Sequence, residues 1–227
     1  MSILCKCWSL VIMIAITSCD YSREENDSRN LTPETRKLPP IREVKIGNQV
    51  WMAENLNLIT FRNGDPIPVA KTDMEWVSYA ESKLPAWCFS YNDSTNGVVY
   101  GVLYNWYAMM DPRGLAPQGW HIPSSSEWDT LIASLGGSNY AGSKMKTKLG
   151  WYSNGNGSNS SGFSALPGGS RDSDGYFWWL SESCEFWSSN NQKGRMAEGF
   201  SLHFFIQDVH RVADEKGSGR SIRCVKD

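Results

Sequence analysis

Alternation of apolar and polar side chains marks the predicted strands of this chain. Residues 42–46 and 49–52 carry apolar side chains at alternate positions and flank a Gly-Asn pair at 47–48. Such a pair between alternating runs is typical of a β-hairpin turn. The clearest strand runs through 200–206, where the alternation has one exception, Phe205. A last strand is predicted at 221–225.

One helix is signalled at both of its ends. Ser124 and Glu127 have the S-x-x-E spacing of a capping box. Apolar side chains then recur at helical spacing through 128–135, and two glycines at 136–137 end the pattern. Shorter helices are predicted over 105–110 and 141–148. Because the helices come early and the strands late, the pattern predicts an α+β domain.

The first residues have the proportions of a secretory signal. An apolar run at 8–16, interrupted by one Ser, follows a short start with a single charge, Lys6. As a helix this run spans about 13 Å, against roughly 30 Å for a hydrocarbon core. Residues 1–18 are therefore predicted to be a signal peptide rather than a membrane span.

The residues that follow the signal predict an anchor and a tether. Ile16-Thr17-Ser18-Cys19 resembles the lipobox of bacterial lipoproteins, which implies cleavage before Cys19 and its lipidation. The alternative is an ordinary secretory signal with an incidental Cys. Residues 19–40 then form the lipidated Cys and a flexible tether, polar at first and later rich in Pro. Its early acidic residues resemble a surface-export signal or are a solvated spacer.

Composition narrows the class of protein. The 227 residues have a formal net charge of −2, and 41% of them are hydrophobic. These values exclude a disordered chain and give no basis for nucleic-acid binding. Of the six cysteines, only Cys88, Cys184 and Cys224 remain as free thiols once the signal is removed and Cys19 is lipidated. Three thiols allow one disulfide at most and exclude a four-Cys zinc site.

Five segments in order carry a resemblance to a known family. Together they resemble the Fibrobacter succinogenes major paralogous domain, found in lipoproteins of that group and of the Bacteroidetes, over 41–227. The resemblance implies a C-type-lectin-like fold with short strands, two or three helices and long loops, similar also to the domain of sulfatase-modifying enzymes. The family has no settled activity, so no catalytic residue is carried over. The segments are GNQVWMAENLN (47–57), YGVLYNWYA (100–108), PQGWHIPS with EW (117–128), GFSALPGG (162–169) and IRCVKD (222–227).

One departure from the family pattern concerns the cysteines. Family members commonly have Cys just before the Pro-x-Gly-Trp-His stretch, where this chain has Ala116. In lectin-like folds a Cys in that region often pairs with one in the final strand. The resemblance therefore leaves Cys224 to pair with Cys88 or Cys184, or to remain a buried free thiol.

Candidate metal and catalytic motifs favour structural interpretations. His121 precedes the capped helix and is expected to shape its start rather than to bind a metal. Asp172 would begin a calcium loop, but Ser183 stands where Glu is required. A hairpin turn at 174–175 and a polar turn at 92–97 are expected instead. No phosphate-binding loop, dinucleotide fingerprint or nucleophile elbow is present in the sequence, so neither cofactor nor metal is predicted.

Two adjacent aromatic pairs are the candidate ligand contacts. Alternation along a strand buries only one member of an adjacent pair in a two-layer domain. One of Trp178 and Trp179, and one of Phe186 and Trp187, would then face outward. Exposed indoles beside polar side chains suit sugar rings. Trp178, Trp179 and Trp187 are the candidates, and the alternative is that long loops cover them.

These expectations combine into one functional hypothesis. The chain is expected to be an outer-membrane lipoprotein of the cell envelope, on either the periplasmic or the external face. It would be a binding or adhesion module for a glycan or a surface protein, rather than an enzyme. The alternatives are a structural component of a surface assembly and, less favoured, an envelope enzyme related to sulfatase-modifying factors.

Overall fold

The computed structural model describes residues 41–227. The predicted signal peptide, the lipidation of Cys19 and the tether therefore lie outside the described residues. Within the described part the chain is an α+β domain of short helices and several small antiparallel sheets. No helix in this part of the chain has the length and apolarity to cross a membrane.

Eleven strands and five α-helices make up residues 41–227. The elements are β1 (Glu43–Ile46), β2 (Gln49–Met52), α1 (Asp73–Ser82), β3 (Trp87–Cys88), α2 (Ser94–Tyr100), β4 (Leu103–Tyr104), α3 (Trp106–Met109), β5 (Trp120–His121), α4 (Ser125–Ser134), α5 (Ser138–Met145), β6 (Ser170–Arg171), β7 (Phe177–Trp178), β8 (Ser183–Asn191), β9 (Met196–His203), β10 (His210–Glu215) and β11 (Val225–Lys226).

The first and last strands lie in one sheet. Its strand order is β1-β2-β11-β5, and Val225 pairs with Trp51 on one side and His121 on the other. A second sheet has the order β10-β9-β8, and β3-β4 and β6-β7 form two small hairpin-like pairs. The β1–β2 hairpin with its Gly47 turn confirms the sequence prediction.

Strand β8 lies between two hydrophobic clusters. Phe186 packs into a first cluster with Trp51, Trp128 and Phe200. Trp187, the next residue, packs into a second cluster whose aromatic side chains include Trp106, Trp120 and Trp87. The ring centroids of Trp128 and Phe186 are 5.3 Å apart, and those of Trp106 and Trp187 are 5.8 Å apart. Both faces of β8 are therefore buried.

The capping box of α4 confirms the strongest helix prediction. The Ser124 side chain accepts from the backbone N–H of Glu127, and the Glu127 carboxylate accepts from the N–H of Ser124. The helix over 105–110 is confirmed as α3, with Asn105 as its N-cap. The helix predicted at 141–148 lies earlier, at Ser138–Met145, because the backbone is already extended at Lys146.

Other predictions differ from the structure. Two further helices exist, α1 and α2, so five replace the expected two or three. The polar turn expected at 92–97 is the start of α2, which Asp93 caps. Strand β9 ends at His203, so Phe205 lies beyond it and is exposed. The turn at 174–175 is confirmed between β6 and β7.

Of the strand predicted at 221–225, only Val225 lies in a regular strand, β11. The N–H of Ser221 donates to Glu185 of β8, whereas the Ile222 carbonyl accepts from Leu56 and the Cys224 carbonyl from Met52. The segment therefore passes between β8 and the residues around β2, and it joins the two larger sheets. Successive backbone groups bind different partners, which prevents a continuous ladder.

The buried guanidinium of Arg223 is the polar centre of this segment. Its side chain is fully buried, and no carboxylate among residues 41–227 pairs with it. It donates to Asn55 Oδ1 at 2.6 Å, to the Met52 carbonyl at 3.1 Å and to the Phe163 carbonyl. Its guanidinium carbon also lies 4.4 Å from the Phe163 ring centroid. Burial lowers the pKa of Arg223 to about 9, which leaves it charged at neutral pH.

Arg223→Lys is predicted to reduce the free energy of unfolding by about 2–4 kcal/mol, because a compact ammonium cannot span the separated acceptors that the planar guanidinium reaches, and each buried orphan costs about 1–3 kcal/mol. Urea denaturation measures the change. Arg42→Lys is the control, since the pair of Arg42 with Glu54 is exposed at both ends. An Arg223→Lys midpoint equal to that of the control would contradict this role.

Candidate functional site

The structure buries one of the three candidate tryptophans. Trp187 has no exposed surface, and its indole N–H donates to the Tyr104 carbonyl at 2.9 Å. Its neighbour Phe186 is also fully buried, so neither member of that pair faces outward. The expectation of one outward member failed because β8 has a hydrophobic cluster on each face. Trp187 is therefore corrected from a ligand contact to a core residue.

The other pair is exposed and lines a pocket. Trp178 is 45% exposed and Trp179 is 48% exposed. Their ring centroids lie 6.3 Å apart, with an angle of 34° between the planes. Both rings line a pocket of about 330 Å³, whose other lining residues are Ser170, Asp172, Glu185, Asp214 and Arg220. We call this the Trp178–Trp179 pocket.

The backbone around the pair holds the two rings outward. Trp179 has a φ of +62°, a left-handed conformation that is unusual for a bulky side chain. Its carbonyl accepts from the N–H groups of Glu182 and Ser183, each at 2.9 Å. A Cβ at Gly169 would collide with the Trp178 carbonyl oxygen, so glycine permits the close approach of these segments.

A buried arginine fixes the hairpin that carries the pair. Arg171 of β6 donates to Asp73 at the start of α1 at 2.6 Å and to the Gly175 carbonyl at 3.0 Å. Its guanidinium carbon lies 4.3 Å from the Phe177 ring centroid. The β6–β7 hairpin is thereby attached to α1, and Trp178 follows directly after the anchored Phe177.

The pocket floor is polar and partly paired. Arg220 is 4% exposed, and it forms ion pairs with Glu185 of β8 and Asp214 of β10. Its Nε has no hydrogen-bond partner among the described residues. Asp172 completes the floor and forms no ion pair within residues 41–227. The pocket thus combines three carboxylates with one guanidinium.

Burial sets the electrostatics of this floor. It raises the pKa of Asp172, a hydrogen bond from Trp178 opposes the rise, and the charge of Asp174 adds to it. Burial also lowers the pKa of Arg220 to about 10, with the charge of Asp172 acting in the opposite direction. Arg220 therefore keeps its charge at neutral pH, and the floor remains negative when the carboxylates are ionised.

A second cleft of about 430 Å³ has a different character. It lies beside the end of α1 and is lined by residues that include Tyr107, Ser173 and Lys216. Part of its charge is already paired, since Arg195 pairs with Glu215 at 2.9 Å and Ser173 also hydrogen-bonds to Glu215. It has no pair of exposed indoles, so the Trp178–Trp179 pocket is the better candidate site.

His121 has a structural environment. Its Nδ1 lies 2.7 Å from Asp227 and its Nε2 lies 2.7 Å from Glu127. Both ring nitrogens lie beside carboxylates, which raises the pKa of His121 against the effect of its partial burial, and the ring links β5, α4 and Asp227. No group of three or more His, Cys, Asp or Glu side chains in residues 41–227 is arranged to hold a metal ion.

The three remaining cysteines are buried free thiols. Cys88, Cys184 and Cys224 are all unpaired, so neither pairing considered for Cys224 is present. Burial raises the pKa of Cys88 to about 11 and that of Cys184 and Cys224 to about 12. At neutral pH these groups are thiols, which are weak nucleophiles.

The fold and the pocket define an α+β domain with an aromatic and acidic pocket. The chain belongs to the Fibrobacter succinogenes major domain family, whose sequence model matches residues 44–226. No curated protein matches the chain, and no solved structure does.

The His121 contacts predict a pH dependence of stability. Partial burial disfavours the charged ring, but hydrogen bonds with Glu127 and Asp227 outweigh this and raise its pKa above the ordinary 6.5. The stabilisation is therefore complete below pH 6.5 and is lost as pH rises through the higher folded-state pKa. Thermal melts of wild type and His121→Asn should differ most at low pH and converge at high pH.

His210→Asn is the matched control, because His210 is exposed. Its melting temperature should follow the wild-type curve throughout the pH range. A difference between wild type and His121→Asn that grows with pH would contradict the assignment.

Proposed function

We propose that the protein is a lipid-anchored binding module of the cell envelope, not an enzyme, that holds a glycan in the Trp178–Trp179 pocket. The observation that carries this proposal is the adjacent, half-exposed indole pair above a polar floor. Indole faces stack on the C–H faces of sugar rings, and the surrounding polar groups hydrogen-bond to the hydroxyls. Both kinds of contact meet in this pocket.

The conformation of Trp179 supports a binding role. A non-glycine residue in a left-handed conformation costs of order 1–3 kcal/mol and persists where the surroundings hold it. Here the hydrogen bonds of the Trp179 carbonyl hold the turn and keep the indole in solvent. Stability alone would favour glycine at this position and a buried indole, which makes ligand contact the better reason for the exposed ring.

The remaining parts of the proposal concern placement. The predicted signal peptide, the lipidation of Cys19 and the tether would attach the domain to the outer membrane, exposed at the surface. Acyl chains contribute about 0.8 kcal/mol per buried CH₂, so several chains hold a protein firmly. We propose a C-type-lectin-like architecture, which the short strands, long loops and joined terminal strands support. Two lining residues of the pocket, Asp172 and Trp179, lie in loops, where binding residues are often found.

Trp179→Gly is predicted to weaken glycan binding about tenfold or more while leaving the fold intact. Glycine adopts the positive φ without strain, so loss of the indole is separated from loss of the turn. The full chain in detergent micelles is screened on an array of neutral and amino-bearing oligosaccharides, and hits are measured by titration calorimetry. Tyr140→Ala is the control, because Tyr140 is exposed and outside the pocket.

Unchanged affinity in Trp179→Gly, or equal losses in both variants, would contradict the assignment of the site. Failure of the wild-type chain to bind any oligosaccharide on the array would contradict the proposed function itself.

A further inference from the structure

The Trp178–Trp179 pocket has unequal numbers of opposite charges. Arg220 is the single cation of its lining, and it is already paired with Glu185 and Asp214. Asp172 lines the same pocket and has no ion-pair partner among the described residues. Asp172 is therefore the one carboxylate of the floor that the ion pairs of Arg220 do not include. Its position is partly buried, so its attraction to a cation is screened less than in water.

The net charge of the lining favours a cationic ligand. Its three carboxylates outnumber the one guanidinium, so two negative charges remain when all four groups are ionised. Arg220 is more than nine-tenths buried and its Nε is enclosed by the domain, so it offers no free donor to a ligand. The ligand that fits this pocket thus carries a positive charge.

We propose that the ligand is a cationic amino sugar, a hexosamine unit with a free ammonium group. This inference rests on the proposed glycan site. The ammonium offsets the excess negative charge of the floor beside Asp172, and the sugar ring lies against the indoles of Trp178 and Trp179. A cation near an indole face gains further from the ring quadrupole.

Other ligand classes satisfy fewer of these groups. A neutral sugar leaves the excess negative charge of the floor uncompensated, and an acidic sugar is repelled by the three carboxylates. A lysine side chain brings a cation but has no ring to lie against the paired indoles. The amino sugar is the class that supplies a flat ring face and a positive charge together.

The test uses matched oligosaccharides and the full chain in detergent micelles. Titration calorimetry at about pH 6, where an amine keeps its proton, compares the β-linked tetramers of glucosamine, N-acetylglucosamine and glucose. The glucosamine tetramer is expected to bind roughly tenfold more tightly than the other two, because its ammonium group forms a charge-assisted contact with the carboxylate of Asp172. This preference should fall as salt is added, because salt screens the charge.

Asp172→Asn is expected to remove most of the preference while the glucose tetramer binds as before, because only the charge is changed. Glu81→Gln is the control, an exposed carboxylate of α1 outside the pocket, and it should keep the preference. Melting curves for both variants establish that the domain is folded at the temperature of the titration.

The outcomes separate the two proposals. Equal or tighter binding of the glucose tetramer, abolished by Trp179→Gly, would overturn the amino-sugar inference and keep the glycan site. No binding of any tetramer would overturn both. Binding of a tetralysine peptide as tight as that of the glucosamine tetramer would overturn the assignment to a saccharide.

Discussion

The buried guanidinium of Arg223 is the interaction on which the rest of the domain depends. It joins the end of β2 at Met52 and Asn55 to the loop at Phe163, and it does so from the last segment of the chain. No carboxylate within the described residues neutralises it, so backbone carbonyls and one amide oxygen must stay in place to solvate the charge. Three parts of the chain that are distant in sequence are thereby fixed relative to one another.

The pocket depends on the same segment. Arg220 lies three residues before Arg223, and its ion pairs reach Glu185 and Asp214 on the two outer strands of the second sheet. The segments that carry the family resemblance supply Asn55, Phe163 and Arg223, whereas Asp172, Trp178 and Trp179 lie between those segments. The family pattern therefore includes residues that hold the fold together, whereas the residues that line the Trp178–Trp179 pocket and would contact a ligand lie outside it.

Local signals predicted much of the fold, but the site depends on distant contacts. The Gly47 hairpin and the Ser124 capping box act within a few residues and could be predicted from sequence. A second capping box, formed by Thr72 and Glu75 at the start of α1, had the same signal and was missed. The burial of Trp187 could not be predicted, because it requires knowing that β8 has a hydrophobic cluster on each face. The Trp178–Trp179 pair was found, but its acidic floor comes from strands far apart in sequence.

The indole N–H resonances of the tryptophans test the central claim most directly. In a two-dimensional ¹H–¹⁵N spectrum of the full chain, addition of the glucosamine tetramer is predicted to shift the Trp178 and Trp179 signals, assigned by single Trp→Phe variants. The signals of the fully buried Trp51, Trp128 and Trp187 should stay in place. Unshifted Trp178 and Trp179 signals, or shifts confined to the buried indoles, would contradict the account of an exposed binding pocket on a rigid frame.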